Sequence, residues 1–306
     1  MKTLEQFLFS PNVTPKEKIS ISIYLYFNSF NISEVPLSIT YERCCNIDNL
    51  IDTQSKWIKT NLDLNINNRI PKRDKINFYV DEEFQKISIK ENLSLGISGV
   101  CYHPYNQILI REAPTENETM RILAHELIHA YSSQVISFVK EGNNIKHVKS
   151  KIMGYSNDNN VFRYFDEVLT EMMTVEISDT IRKRNGKDYI TNIPLGYGTD
   201  LLLFDLIFSD AANALSIGQK QLRHLLYHGY LVGDHSSLRV FDKVFGKDTL
   251  RVIAYFDTKN IINSGVNLIK RCGGIGLSNR LDAKSNLFLE GKEFEILGGI
   301  KLKCPL

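Results

Sequence analysis

Apolar positions follow two different periods along this chain, and the order in which they alternate predicts an α+β fold. Near the start, Thr14 can cap a helix, Pro15 suits its first position, and Ile19, Ile23, Tyr26, Phe27 and Phe30 recur at helical spacing. The alternation Ile19-Ser20-Ile21-Ser22-Ile23 also fits a strand, and both readings stay open. Asp48 to Leu62, with Ile51 and Trp57, predicts a second helix, and the Asn- and Pro-containing stretch from Asn65 to Lys75 reads as a connector. A boundary near residue 70 then separates an N-terminal helical region, 1–70, from the rest of the chain.

Short β-rich runs come next, at Ile76 to Val80, Gly99 to Tyr102 and Ile108 to Arg111, the last two joined by His103-Pro104-Tyr105-Asn106 as a hairpin turn. Thr115-Glu116-Asn117-Glu118 has the T-x-x-E form of a capping box and starts a helix through Met120, Leu123, Leu127, Ala130 and Tyr131. The polar, basic stretch from Lys140 to Asn160 reads as loop, after which helical spacing returns in Val161 to Lys183, Leu201 to Ala214 and Gln219 to Tyr230. Residues 71–258 make up this main region. The tail, 259–306, with Gly273-Gly274-Ile275-Gly276 and alternating apolar residues from Phe288 to Ile300, reads as β-rich hairpins closing the fold.

The capped helix carries His125-Glu126-Leu127-Ile128-His129, an H-E-x-x-H motif whose two imidazoles lie one turn apart on one helical face and can reach one ion. Zinc suits neutral imidazole nitrogens, and Glu126, about 100° around the helix, is placed to take a proton from a water beside the ion. On the next helix, Asp166-Glu167-Val168-Leu169-Thr170-Glu171 puts Glu167 and Glu171 one turn apart, on a face shared with Arg163, Thr170 and Thr174. Glu167 would complete a His₂Glu set that leaves a fourth position open, and Glu171 would accept the free N–H of a liganding histidine.

H-E-L-I-H followed by D-E-V-L-T-E resembles the gluzincin clan of zinc metallopeptidases, which includes the thermolysin-like enzymes, over roughly Gly99 to Val175. Asp166 and Val168 stand where that clan usually has Asn and Gly, and the 38 positions from His129 to Glu167 form a long offset. The resemblance implies a zincin-like, two-lobed domain over 71–258, with a small sheet and the motif helix in one lobe and helices in the other. It implies a peptide or protein substrate, which we expect to lie antiparallel along the strand ending near Arg111. It also implies a donor that stabilises the oxyanion formed at the attacked carbonyl, for which Tyr197, among glycines in Pro194-Leu195-Gly196-Tyr197-Gly198, is favoured over His224, His228 and His235.

Composition narrows the alternatives. A net charge of +2 is too small to predict a nucleic-acid partner. The 5 cysteines show no C-x-x-C and no repeating spacing, so neither a disulfide framework nor a cysteine metal site is expected. No apolar run is long enough to predict a membrane span, and Ile19 to Phe27 makes a poor signal peptide, so a cytoplasmic location is expected. Two other readings of the motif remain: a silent zinc protein acting as a binding module, and a zinc hydrolase of non-peptide substrates. Glu126 has no use in a merely structural site and therefore favours an enzyme.

Overall fold

Thr40 starts the first helix among the described residues of the computed structural model, which are 37, 39–91, 93, 96–102, 106–141, 144–157, 159–187, 189, 195–256, 261–290 and 292–303. The helix expected from Thr14, and the competing strand at Ile19 to Ile23, lie outside the described residues. Helix α1 (Tyr41–Leu62) begins earlier than the pattern from Asp48 suggested, because the Thr40 side chain accepts the Arg43 N–H. Its buried stripe of Ile47, Leu50, Gln54, Trp57, Ile58 and Leu62 has helical spacing.

Strand β1 (Ile76–Tyr79) leads into helix α2 (Asp81–Lys90), which the hydrophobic pattern did not reveal. Asp81, Glu82 and Glu83 in its first turn suit the positive end of the helix dipole, and Phe84 and Ile87 bury its inner face. Strands β2 (Gly99–Tyr102) and β3 (Gln107–Arg111) form the expected hairpin. The sheet order is β1-β3-β2, with β3 parallel to β1 and antiparallel to β2. Residue alternation sends Ile76, Phe78, Ile108 and Ile110 into the main core, and Tyr79 and Leu109 against Phe84 and Ile87 of α2. This topology corrects one expectation: β3, which ends at Arg111, is paired on both sides and cannot take up a peptide, so the edge available beside the motif helix is β2.

Helix α3 (Glu116–Tyr131) carries the H-E-x-x-H motif and starts in a complete capping box. The Thr115 hydroxyl accepts the Glu118 N–H at 3.2 Å, and the Glu118 carboxylate accepts the Thr115 N–H at 3.1 Å. The stretch expected as loop is instead strand β4 (Gln134–Glu141), β5 (Asn144–Met153) and the short β6 (Ser156–Asn157), an antiparallel ribbon. Register shifts between Val135 and Ile136 and between Val139 and Lys140 break the strict period of two, which is why its alternation was not legible.

The remainder is helical: α4 (Arg163–Asn185), α5 (Leu195–Ala214), α6 (Gln219–Val232), α7 (Arg239–Phe245), α8 (Thr249–Ala254), α9 (Ile261–Cys272) and α10 (Gly274–Leu289). The tail is thus not purely β-rich. Its glycines fall in the stretch expected as hairpins, but Gly274 opens α10, whose Leu277 and Phe288 are buried, and tertiary packing overrides the low helix propensity of Gly274 and Gly276. Only β7 (Glu293–Ile296) and β8 (Ile300–Lys303) form the expected hairpin. Among the described residues no single helix is long and apolar enough to cross a membrane. Cys44, Cys45, Cys101 and Cys272 are free thiols.

Two buried polar side chains fix where α3 sits. Gln54 on α1 donates to the Ala124 carbonyl at 2.9 Å and accepts from the Tyr131 hydroxyl at 3.1 Å, bracing α3 at the turn just before His125. Arg69 donates to the carbonyls of Tyr131 and Leu231 and so ties together the C-terminal ends of α3 and α6. Replacing Gln54 by Leu strips both bonds and leaves the buried Tyr131 hydroxyl unpaired, while the Ala124 carbonyl keeps only its bond within the helix. We expect Gln54→Leu to lower stability by about 1–3 kcal/mol in urea unfolding, and an unchanged midpoint would contradict the brace.

Candidate metal centre

Helices α3 and α4 pack side by side and bring three atoms together. Nε2 of His125 lies 3.2 Å from Nε2 of His129 and 3.3 Å from Oε2 of Glu167, and His129 Nε2 is 3.4 Å from the same oxygen. A tetrahedral ion with ligand distances of about 2.0 Å has ligand–ligand edges of about 3.3 Å, so the triangle fits a small divalent ion sharing all three atoms. The His125 and Glu167 side chains come from positions 42 residues apart, and the β4–β6 ribbon fills the long interval between the two motifs.

Each imidazole is turned by a partner behind it. Glu171 Oε2 lies 3.0 Å from His125 Nδ1, and its other oxygen forms an ion pair with Arg121. An ionised carboxylate only accepts, so Nδ1 of His125 carries a proton, and Nε2 is the nitrogen whose lone pair would be offered to a bound ion. His129 Nδ1 lies 3.1 Å from the Tyr230 hydroxyl, which is 3.0 Å from the Thr170 hydroxyl, so Tyr230 can accept from the imidazole and donate to Thr170. Thr174 in turn donates to the Thr170 carbonyl.

The field at this point is strongly negative. Burial works against a charged His125, yet its bonds to Glu167 and Glu171, and the charges of Glu171 and Glu126, raise its pKa to about 10. Burial likewise opposes an ionised Glu167, and the two imidazoles still hold it well below the usual carboxylate range. Glu171 is lowered too, burial being outweighed by Arg121 and His125. Without a metal the site holds a proton, and a metal ion must displace it.

Glu126 projects beside the triangle into a cleft of about 1530 Å³ that runs between β2 and the start of α4. Burial, with the Glu167 charge adding to it, raises the Glu126 carboxyl against the lowering effect of the two imidazoles and of a bond from the Cys101 N–H. Gly99 permits this approach: a β-carbon there would stand 2.8 Å from Ile122 Cγ2 and 2.9 Å from Glu126 Cγ. At the start of α4, Asp166 accepts the N–H groups of Tyr155 and Ser156 at 3.1 and 2.8 Å and pins the returning ribbon to the helix. That work explains an acidic residue just before Glu167.

The structure therefore brings His125, Glu126, His129, Glu167 and Glu171 together. Tyr197 lies in the first turn of α5, but its side chain falls outside the described residues. His224 stands edge-on to Trp57 at 5.5 Å with Nε2 3.8 Å from Glu176, and His235 stands edge-on to Tyr155 at 5.4 Å. Neither lines the cleft, and nor does His228. Sequence reasoning missed Arg121 and Tyr230. Arg121 was legible as the residue one turn before His125 on the same face, whereas Tyr230, 101 positions from His129, carried no signal. Comparison of the chain with protein-family models, with curated proteins and with solved structures gives no match.

Titration of metal-free protein with Zn²⁺ should show one site, lost in Glu167→Ala. At pH 7 uptake should release about one proton, because His125 is protonated below its raised pKa of about 10, and affinity should climb as pH rises toward that value. Calorimetry in buffers of different ionisation enthalpy reads this, and uptake without proton release would contradict it. Arg121→Met frees the Glu171 carboxylate and should weaken the ion's binding by about 10- to 100-fold, whereas unchanged affinity would show that the pair does not orient His125.

Proposed function

We propose that this chain is a zinc-dependent metallopeptidase of the gluzincin kind, with His125, His129 and Glu167 as ligands. The observation that carries the reading is the triangle of 3.2, 3.3 and 3.4 Å edges next to the buried carboxylate of Glu126. A structural zinc site has no need of that carboxylate, and a His₂Glu set leaves room for a further ligand. When bound, zinc would polarise a substrate carbonyl and make a neighbouring water easier to deprotonate.

Glu126 would hold and move the proton. Its carboxyl, raised by burial, is a better proton acceptor than an exposed one, and it can take a proton from the attacking water and return it to the leaving amine. The Cys101 N–H and the bare α-carbon of Gly99 fix where it stands. His125 and His129 keep their orientation through Glu171 and Tyr230 rather than through the reaction itself.

Strand β2 favours a peptide as substrate. Ser98 accepts the Arg111 N–H, so alternation turns Ser98, Val100 and Tyr102 toward β3 and leaves the backbone of Gly99 and the carbonyl of Cys101, whose N–H is held by Glu126, presented to the cleft. An extended peptide can pair with that edge antiparallel, which sets its carbonyl beside Glu126. In this reading the sheet with α3 forms one lobe and the helices from α4 onward form the other.

Glu126→Gln keeps size and hydrogen bonding but cannot accept the proton. It should retain the ion and lose peptide hydrolysis by at least about 100-fold, measured on a quenched fluorescent peptide library. Hydrolysis at the unaltered rate in that variant, or none in zinc-loaded wild-type protein, would overturn the reading.

A further inference from the structure

Three arginines line the cleft on positions the reaction scheme does not use, and two of them are already neutralised. Arg111 donates to Ser98 Oγ at 3.0 Å and lies 3.4 Å from Asp81, while Arg121 pairs with Glu171. Arg163 is exposed and has no ion-pair or hydrogen-bonding partner for its guanidinium among the described residues. Asn157 lines the same cleft and is tied to Arg163 through Asn160, whose N–H donates to the Asn157 carbonyl and whose carbonyl accepts the Arg163 N–H. The Asn157 side-chain oxygen accepts the N–H groups of Asn159 and Val161 at 2.9 and 3.2 Å. What Asn157 has left to offer is its NH₂ group. Two donors without acceptors, one of them a full positive charge, face a cleft whose other arginines are matched.

The contacts between α3 and α4 fix which end of the cleft this is. Arg121 and His125 meet Glu171, and His125 and His129 meet Glu167, so moving from Glu171 to Glu167 on α4 tracks α3 toward its C-terminal end. One further turn places Arg163 beyond His129, and its side chain leans still further that way, toward the N-terminus of α4. Gly99 faces Ile122 and Glu126, and the Cys101 N–H also reaches Glu126, so β2 runs in the same direction as α3. A peptide antiparallel to β2 therefore has its N-terminal portion at the Arg163 end. One helical turn plus the reach of an arginine spans about two or three residues of extended chain.

From this placement we infer that Arg163 and the Asn157 amide form a subsite for an acidic side chain of the substrate, about two or three residues N-terminal to the bond that is cut. The inference rests on the peptidase reading and adds to it a substrate class. A carboxylate accepts both from a guanidinium and from an amide NH₂, whereas a lysine side chain meets only donors and a like charge.

The test presents zinc-loaded protein with peptides of fixed sequence carrying Glu, Gln or Lys at each position in turn. Wild-type protein should cut the Glu peptides about tenfold faster than the Gln peptides at the stated positions only. Arg163→Glu should reverse that order in favour of Lys, and Asn157→Ala should reduce the Glu preference by a smaller factor, both with unaltered zinc content. A preference on the C-terminal side of the cut, or one that Arg163→Glu leaves in place, overturns the inference while the peptidase reading stands. If no peptide is cut, that reading fails, and fluorescence anisotropy of the same peptides on zinc-loaded Glu126→Gln protein still decides the subsite. Tighter binding of Glu peptides that vanishes with Arg163→Glu supports it, and equal binding of Glu and Gln peptides refutes it.

Discussion

Two imidazole nitrogens and one carboxylate oxygen, which without a proton or an ion among them would all be acceptors, stand within 3.4 Å of one another in a largely buried setting. Such an arrangement is unfavourable unless a positive charge sits among them, and the fold supplies restraints that keep the atoms from moving apart. Glu171 and Tyr230 hold the rings from behind, Gln54 braces the turn of α3 that precedes His125, and Asp166 anchors the start of α4. The remote polar contacts of α1 and the connector after it thus serve the site as much as they serve stability. They fix α3 against α1 and α6, and α3 fixes the imidazoles.

The chemistry-bearing residues were legible because helical spacing is local. His125 and His129, and Glu167 and Glu171, each share a helix face that sequence alone specifies, and the T-x-x-E capping box marks where α3 begins. What could not be read was how distant segments meet. The approach of Tyr230 to His129, the close passage of Gly99 over Glu126 and the pairing order β1-β3-β2 all depend on tertiary packing. The sheet order matters most, because β3 directly precedes α3 in sequence while β2 holds the edge that faces the cleft.

Errors of element type have equally local causes. The β4–β5 ribbon escapes detection because two register shifts interrupt its alternation, and the start of the tail reads as hairpin rather than as α10 because that helix opens at Gly274 and contains Gly276. No element is expected over α2, where Ile87-Ser88-Ile89 shows no clear helical period, although Ile87 is buried and Ile89 is 73% exposed on the helix that forms there. His125, His129 and Glu167 all lie outside these regions, on α3 and α4, which is why the site could be anticipated from a fold only partly anticipated.

X-ray absorption at the zinc edge on the zinc-loaded protein bears most directly on this arrangement. Two imidazoles and one carboxylate oxygen at about 2.0–2.1 Å, with one further light ligand, should account for the spectrum, and Glu167→Ala should remove the carboxylate contribution. A sulfur ligand, a single imidazole, or a spectrum indifferent to Glu167→Ala would show that α3 and α4 do not share the ion.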